Sequence, residues 1–235
     1  MTDQARPLQV YARWAGFMYL FSMVVYMAQD FILADFVVSG DFAATARNVA
    51  ADEGLYRIGL ALRVVGTLTL LGLGWTFYGL LRSVAPTLAL VHLVWRGVAA
   101  AMDVMGVTFR YAGLENYIAS PDAAAQTLAG QLMSAAHRES YQIQFVYLGV
   151  GSVLLFWALL KSRFIPRPLA LFSLIASALL ILQAFAHLLV PEQVEALGLG
   201  MMEYIPMFIA EVGTGLWLLA RGADLKVGTG ERAGR

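Results

Sequence analysis

Residues 168–190 read PLALFSLIASALLILQAFAHLLV, a run without a single Asp, Glu, Lys or Arg. Crossing the hydrocarbon core of a bilayer takes roughly 20 apolar residues in a helix, and this stretch supplies them. Pro166 precedes it, Pro168 opens it and Pro191 follows it, the residues that break or open helices. Working outward, five further runs have comparable length and apolarity: 12–34, 56–81, 87–110, 141–160 and 204–221. Ser39-Gly40-Asp41 and Asp52-Glu53-Gly54 bracket the first connection, and Pro86 starts the third run. The expected fold is all-α, a polytopic transmembrane helical bundle of six spans. It forms one domain over 1–222, with a polar tail over 223–235 expected to be disordered.

Composition agrees. Of the 235 residues 60% are hydrophobic and only 14% charged, with mean hydropathy +0.68, whereas a soluble domain carries roughly a quarter charged residues. The surplus apolar surface exceeds what one globular core can hide, so lipid is the natural solvent and the bilayer the expected partner. Zero net charge argues against nucleic acid. Cysteine is absent, which removes disulfides and thiolate chemistry.

The first run, Trp14 to Ala28, follows Arg6 and Arg13 as a signal peptide's apolar segment would. It continues into Gln29 and Asp30 without a small-x-small cleavage site, and is read as a retained helix. Basic residues then orient the bundle. Ten lie on the side of the termini (Arg6, Arg13, Arg82, Lys161, Arg163, Arg167, Arg221, Lys226, Arg232, Arg235) and four on the other (Arg47, Arg57, Arg110, Arg138). By the positive-inside rule both termini are expected in the cytoplasm. Between spans three and four, Ser120-Pro121-Asp122 resembles a helix start. Ala125, Leu128, Leu132 and Met133 follow on one face, predicting a short amphipathic outer helix.

Charge at bilayer depth is costly and normally faces the bundle interior or a watery cavity. Here it comprises Asp30, Arg63, Arg96, Asp103 and Glu211, with His92 and His187 as titratable neighbours. At about 1.5 Å per residue, Arg63 and Asp103 lie about 10 Å below the outer surface, and Arg96 and Glu211 nearer the midplane. On span three, His92, Arg96, Asp103 and Arg110 recur at four and seven, sharing a face with Ala99 and Gly106. Tyr19, Tyr26 and Asp30 align on span one, Gln183 and His187 on span five, and Gln144 enters from span four. The predicted ligand-facing set is Asp30, Arg63, Arg96, Asp103, Gln144, Gln183, His187 and Glu211. It would line an outward-opening chamber, with Glu211 and Asp103 as candidate acids or bases. Two alternatives use the same residues: interhelical ion pairs that only fix packing, and a proton or ion path.

No metal or cofactor is expected. His92 and His187 sit roughly 20 Å apart along the membrane normal, too far to share an iron, and His137 with Glu203 forms no ligand spacing. Phosphate-binding glycine loops, nucleophile elbows and dinucleotide fingerprints are absent. Gly72/Gly74, Gly149/Gly151 and Gly213/Gly215 suit close helix packing. Trp14, Tyr56, Tyr111, Tyr117, Tyr141 and Tyr204 read as interfacial anchors.

Several stretches resemble one family. They are Arg13-Trp14-Ala15-Gly16-Phe17-Met18-Tyr19-Leu20, the loop Gly40-Asp41-Phe42-Ala43-Ala44-Thr45-Ala46-Arg47-Asn48, and Glu53-Gly54-Leu55-Tyr56-Arg57-Ile58-Gly59. The turn Lys161-Ser162-Arg163-Phe164-Ile165-Pro166-Arg167 and the closing Glu211-Val212-Gly213-Thr214-Gly215-Leu216-Trp217-Leu218-Leu219 complete the pattern. They resemble bacterial membrane proteins of the domain of unknown function family 4386, from about Tyr11 to Gly222. His92 and Asp103 depart from that pattern. The resemblance implies a small helical bundle and marks Glu211 and the Asp41 loop as positions to test. It supplies no reaction. Function thus divides three ways. A non-catalytic protein could bind a small amphiphile or partner, an enzyme could act on a lipid or isoprenoid-like substrate, and a small carrier could couple to protons.

Overall fold

A computed structural model describes the backbone of residues 5–38, 41–119, 123–198 and 204–225, and their side chains except at 5, 115–119 and 123–127. Every described element is a helix. In chain order they are α1 (Ala5–Ala34), α2 (Phe42–Ala51), α3 (Glu53–Leu81), α4 (Pro86–Ala119), α5 (Ala123–Ser162), α6 (Arg167–Leu189), α7 (Pro191–Leu197) and α8 (Ile205–Arg221). α1, α3, α4, α5 and α6 are each long and apolar enough to cross a membrane.

Neighbours follow the chain. α1 packs on α3, α3 on α4, α4 on α5 and α5 on α6; α8 then lies between α6 and α1 and closes a ring. The closure depends on Gly16. A Cβ there would run into the backbone of α8 at Leu219 and Gly215, so the first and last helices touch main chain to main chain, as small residues allow in lipid.

The distribution of side chains is inverted relative to a water-soluble protein. Val24, Phe31, Leu68, Trp75, Leu182 and Leu216 remain more than half exposed on the outside, while His92, Arg96 and Asp103 are buried inside. Only a lipid exterior satisfies both. Toward the termini the interior is apolar: Ala12, Leu73, Phe77, Leu80, Phe156, Leu159 and Phe164 form a continuous core. A smaller cluster of Leu33, Phe36, Val49, Tyr56, Leu60 and Leu114 sits at the opposite end, beneath α2.

The structure corrects several expectations. α4 and α5 run well past the bilayer boundaries predicted for spans three and four, with only residues 120–122 between them. The short outer helix is therefore the first part of α5 and not a separate element, because Ala123–Ser140 is built of good helix formers that continue the span without a break. The Ser120-Pro121-Asp122 start signal falls outside the described residues. The first outer connection, read as a loop, contains α2, capped by the Asp41 carboxylate accepting from Ala44 N at 2.8 Å. Asp52 caps α3 in the same way through Leu55 N at 3.0 Å. Past α8, Ala223 is buried, its carbonyl accepts from Gln9 Nε2, and Asp224 N donates to Phe164 O at 2.9 Å; residues 226–235 of the expected tail lie outside the described residues. Tyr56 and Tyr141 are not interfacial anchors. Tyr56 is core, edge-on to Phe36, and Tyr141 has a role described below. Tyr117 falls outside the described side chains.

The capping geometry gives a first test. Asp41→Ala is expected to cost about 1 kcal/mol of stability and Asp41→Asn close to nothing, since asparagine caps equally well. Chemical unfolding in detergent reads the difference, and equal losses in both variants would remove the cap from the account.

Candidate functional site

Two buried polar layers cross the ring. The one farther from the termini, the outer layer, is built on Arg63 of α3. Its Nε and Nη2 donate to Asp103 Oδ1 on α4 at 2.9 and 2.6 Å, and its Nη1 donates to Gln29 Oε1 on α1 at 3.0 Å. The other Asp103 oxygen accepts from Thr67 Oγ1 at 2.5 Å and Tyr26 OH at 3.0 Å. Two aromatic rings lie against the guanidinium: its Cζ is 4.8 Å from the centroid of the Tyr26 ring and 4.8 Å from that of Tyr141, both within cation–π range. Helical spacing explains the meeting. Tyr26 and Gln29 lie three apart on α1, Arg63 and Thr67 four apart on α3, so each pair shares a face.

The second layer is built on Arg96 and is looser. Arg96 is 1% exposed. Its Nη2 reaches Glu211 Oε1 on α8 at 3.8 Å, Tyr19 OH on α1 at 3.4 Å and Ser152 Oγ on α5 at 3.4 Å. All three contacts are longer than an ordinary N–H···O bond, and Arg96 Nε has no hydrogen-bond partner. One turn away, His92 Nδ1 lies 2.8 Å from Gly151 O. A carbonyl only accepts, so the proton sits on Nδ1.

Above the outer layer opens a cavity of about 720 Å³ between α1, α2, α3, α4 and α5. Arg63, Gln29 and Tyr141 contribute to its lining together with Asp30, Asp41, Arg110, His137 and Arg138. Leu33, Val37, Leu60 and Phe109 supply apolar wall. Asp30 is exposed and accepts from Gln29 Nε2 at 2.9 Å, while His137 Nδ1 lies 3.0 Å from Gly106 O. α2 is held against α5 by Phe42, whose ring occupies the space a Cβ on Gly130 would fill.

The eight predicted ligand-facing residues therefore separate. Asp30 and Arg63 line the cavity, and Asp103 lies behind Arg63. Arg96 and Glu211 form the second layer, and Glu211 is not among the cavity-lining residues. Gln144 is buried, its Oε1 without a hydrogen-bond partner. Gln183 and His187 sit half-buried on α6 and do not line the cavity. Residues missed from sequence are Gln29 and Thr67, which complete the Arg63 layer, and the α2 wall. The signal for that wall was present in Asp41 and Asp52, each three residues before the amide it caps. Among the described residues no group of His, Cys, Asp and Glu could hold a metal.

A ring of long helices with apolar exteriors and buried ion pairs in its interior defines a polytopic integral membrane protein. The chain belongs to the family described as Domain of unknown function (DUF4386), which it matches over residues 14–222. No curated protein and no solved structure matches it.

Proposed function

We propose that the protein binds a small amphiphile in the cavity beside Arg63, in a bacterial cytoplasmic membrane that six helices cross with both termini in the cytoplasm. α8, with 17 residues, is the shortest of the six. At about 1.5 Å per residue it reaches roughly 25 Å, close to the hydrocarbon thickness. The excess of basic residues on the side of the termini supports the orientation, and in that orientation the cavity faces the extracytoplasmic side. The observation that carries the reading is the cavity itself, with charged groups of both signs beside an apolar wall. That is the composition of a ligand pocket. Asp103, with four hydrogen bonds to its two oxygens, serves here to fix Arg63 and the two tyrosine rings as a rigid floor.

Dodecanoate and dodecyltrimethylammonium, amphiphiles of opposite charge, are the probes. At least one is expected to raise the melting temperature of the purified protein, because saturation at a hundred times Kd stabilises by about 2.7 kcal/mol. Ser134→Trp, which places an indole among the lining residues, should abolish that shift. A shift that survives Ser134→Trp, or none with either probe, would overturn the assignment.

A further inference from the structure

A second cleft, of about 360 Å³, lies at the end of the bundle that carries the termini. Arg163, Ile165, Pro166, Arg167, Trp217 and Asp224 line it. Four independent features converge there. Arg163 and Arg167 are exposed, and neither guanidinium makes an ion pair among the described residues. The indole Nε1–H of Trp217 is buried and has no hydrogen-bond acceptor, and a buried donor left unpaired is costly. α6 begins at Arg167 with no side chain capping its first turn, so the positive end of its dipole opens beside the two arginines. Finally, Arg163 has φ of 58°, the left-handed region, which a non-glycine residue occupies only at a cost.

We infer that this cleft binds the phosphodiester of an anionic membrane lipid. Two guanidinium groups, an indole donor and a helix start are the groups that recognise a phosphate oxygen. Asp224 sets the charge: two cations and one carboxylate leave the cleft with a single positive charge, which suits a monoanionic diester better than a dianionic phosphate. The Asp224 carboxylate also supplies an acceptor for a headgroup hydroxyl, which phosphatidylglycerol carries. The exposed apolar residues Leu216 and Leu219, on the same helix as Trp217, face the acyl chains. The cytoplasmic assignment of this leaflet rests on the proposed orientation, but binding itself does not.

The test is retention of phosphatidylglycerol by native mass spectrometry, from nanodiscs of phosphatidylcholine with and without phosphatidylglycerol. Nanodiscs present both leaflets, so a wrong orientation would not affect the outcome. The wild type is expected to retain phosphatidylglycerol selectively. Arg167→Gln should weaken retention about tenfold, the worth of one charge-assisted hydrogen bond, and Trp217→Phe severalfold. Arg163→Gly removes a guanidinium while relieving the backbone, so it should lose affinity without losing thermal stability. Arg82→Gln, which deletes a charge on the same side outside the cleft, should retain lipid as the wild type does. Equal retention across all four variants, or an equal loss in Arg82→Gln, would overturn the site. Displacement by millimolar inorganic phosphate would overturn the assignment to a lipid diester.

Discussion

Asp103→Ala is expected to destabilise the protein by about 3–5 kcal/mol, the cost of stranding a buried charge. Arg63 would keep only Gln29 Oε1 and the two ring faces, and Thr67 and Tyr26 would each lose an acceptor. Thr67 and Tyr26 do not line the cavity, so no water is at hand there to replace the lost acceptor. Asp103→Asn should fall between, because an amide oxygen still accepts from two of the four donors while the charge is gone. Removing both partners, as in Arg63→Met with Asp103→Leu, should recover most of the loss, since an apolar pair leaves nothing unsatisfied. Denaturant unfolding in mixed micelles measures the cycle. If Asp103→Ala stays within about 1 kcal/mol of the wild type, the Arg63 layer is not what holds α1, α3 and α4 in register. The Arg96 layer should respond less: at 3.8 Å from its carboxylate, Arg96 has less to lose from Glu211→Gln.

Gly16→Leu should cost about 3 kcal/mol or more and open the ring between α1 and α8. Overpacking a tight contact typically costs 1–3 kcal/mol when side chains can shift. Here the obstacle is backbone at Leu219 and Gly215, which has no rotamer to change. The expected signs are a lowered unfolding midpoint and faster proteolysis of the chain at the α8 end. Gly97 provides the control on α4. A Cβ there meets nothing within 4 Å, so Gly97→Ala should be neutral or stabilising by up to about 1 kcal/mol through helix propensity alone. If both glycines tolerate substitution equally, close approach of α1 and α8 is not what closes the bundle.

The long spans were legible because an apolar run of that length has few alternatives. The shared face of His92, Arg96 and Asp103 was legible because helical period fixes it within one element. Pairing between elements was not. Arg63 and Arg96 are chemically equivalent in sequence, and only the packing order of α1, α3 and α4 gives Asp103 to the first and leaves Glu211 to the second. Tyr141 misled for a similar reason: a tyrosine near the end of an apolar run reads as an interfacial anchor, but α5 begins well before that run, so Tyr141 sits inside the bundle against Arg63. α2 was obscured by its small size and modest apolarity, although its cap was visible. The cavity depends on α2 and on the outer extension of α5, so it too lay beyond what span-counting could reach.

The ring that α8 closes has a consequence for how the chain is made. Helices leave the ribosome in order, and Arg96 enters the membrane with the third long helix, whereas its carboxylate arrives only with the last. Until then the bundle is an open crescent with a cation on its inner edge and Gly16 exposed to lipid. Docking of α8 delivers the counter-charge and the missing wall in a single event. A chain truncated before Ile205 would thus be left with an unneutralised arginine in its interior, a form that quality-control proteases in the membrane are suited to detect.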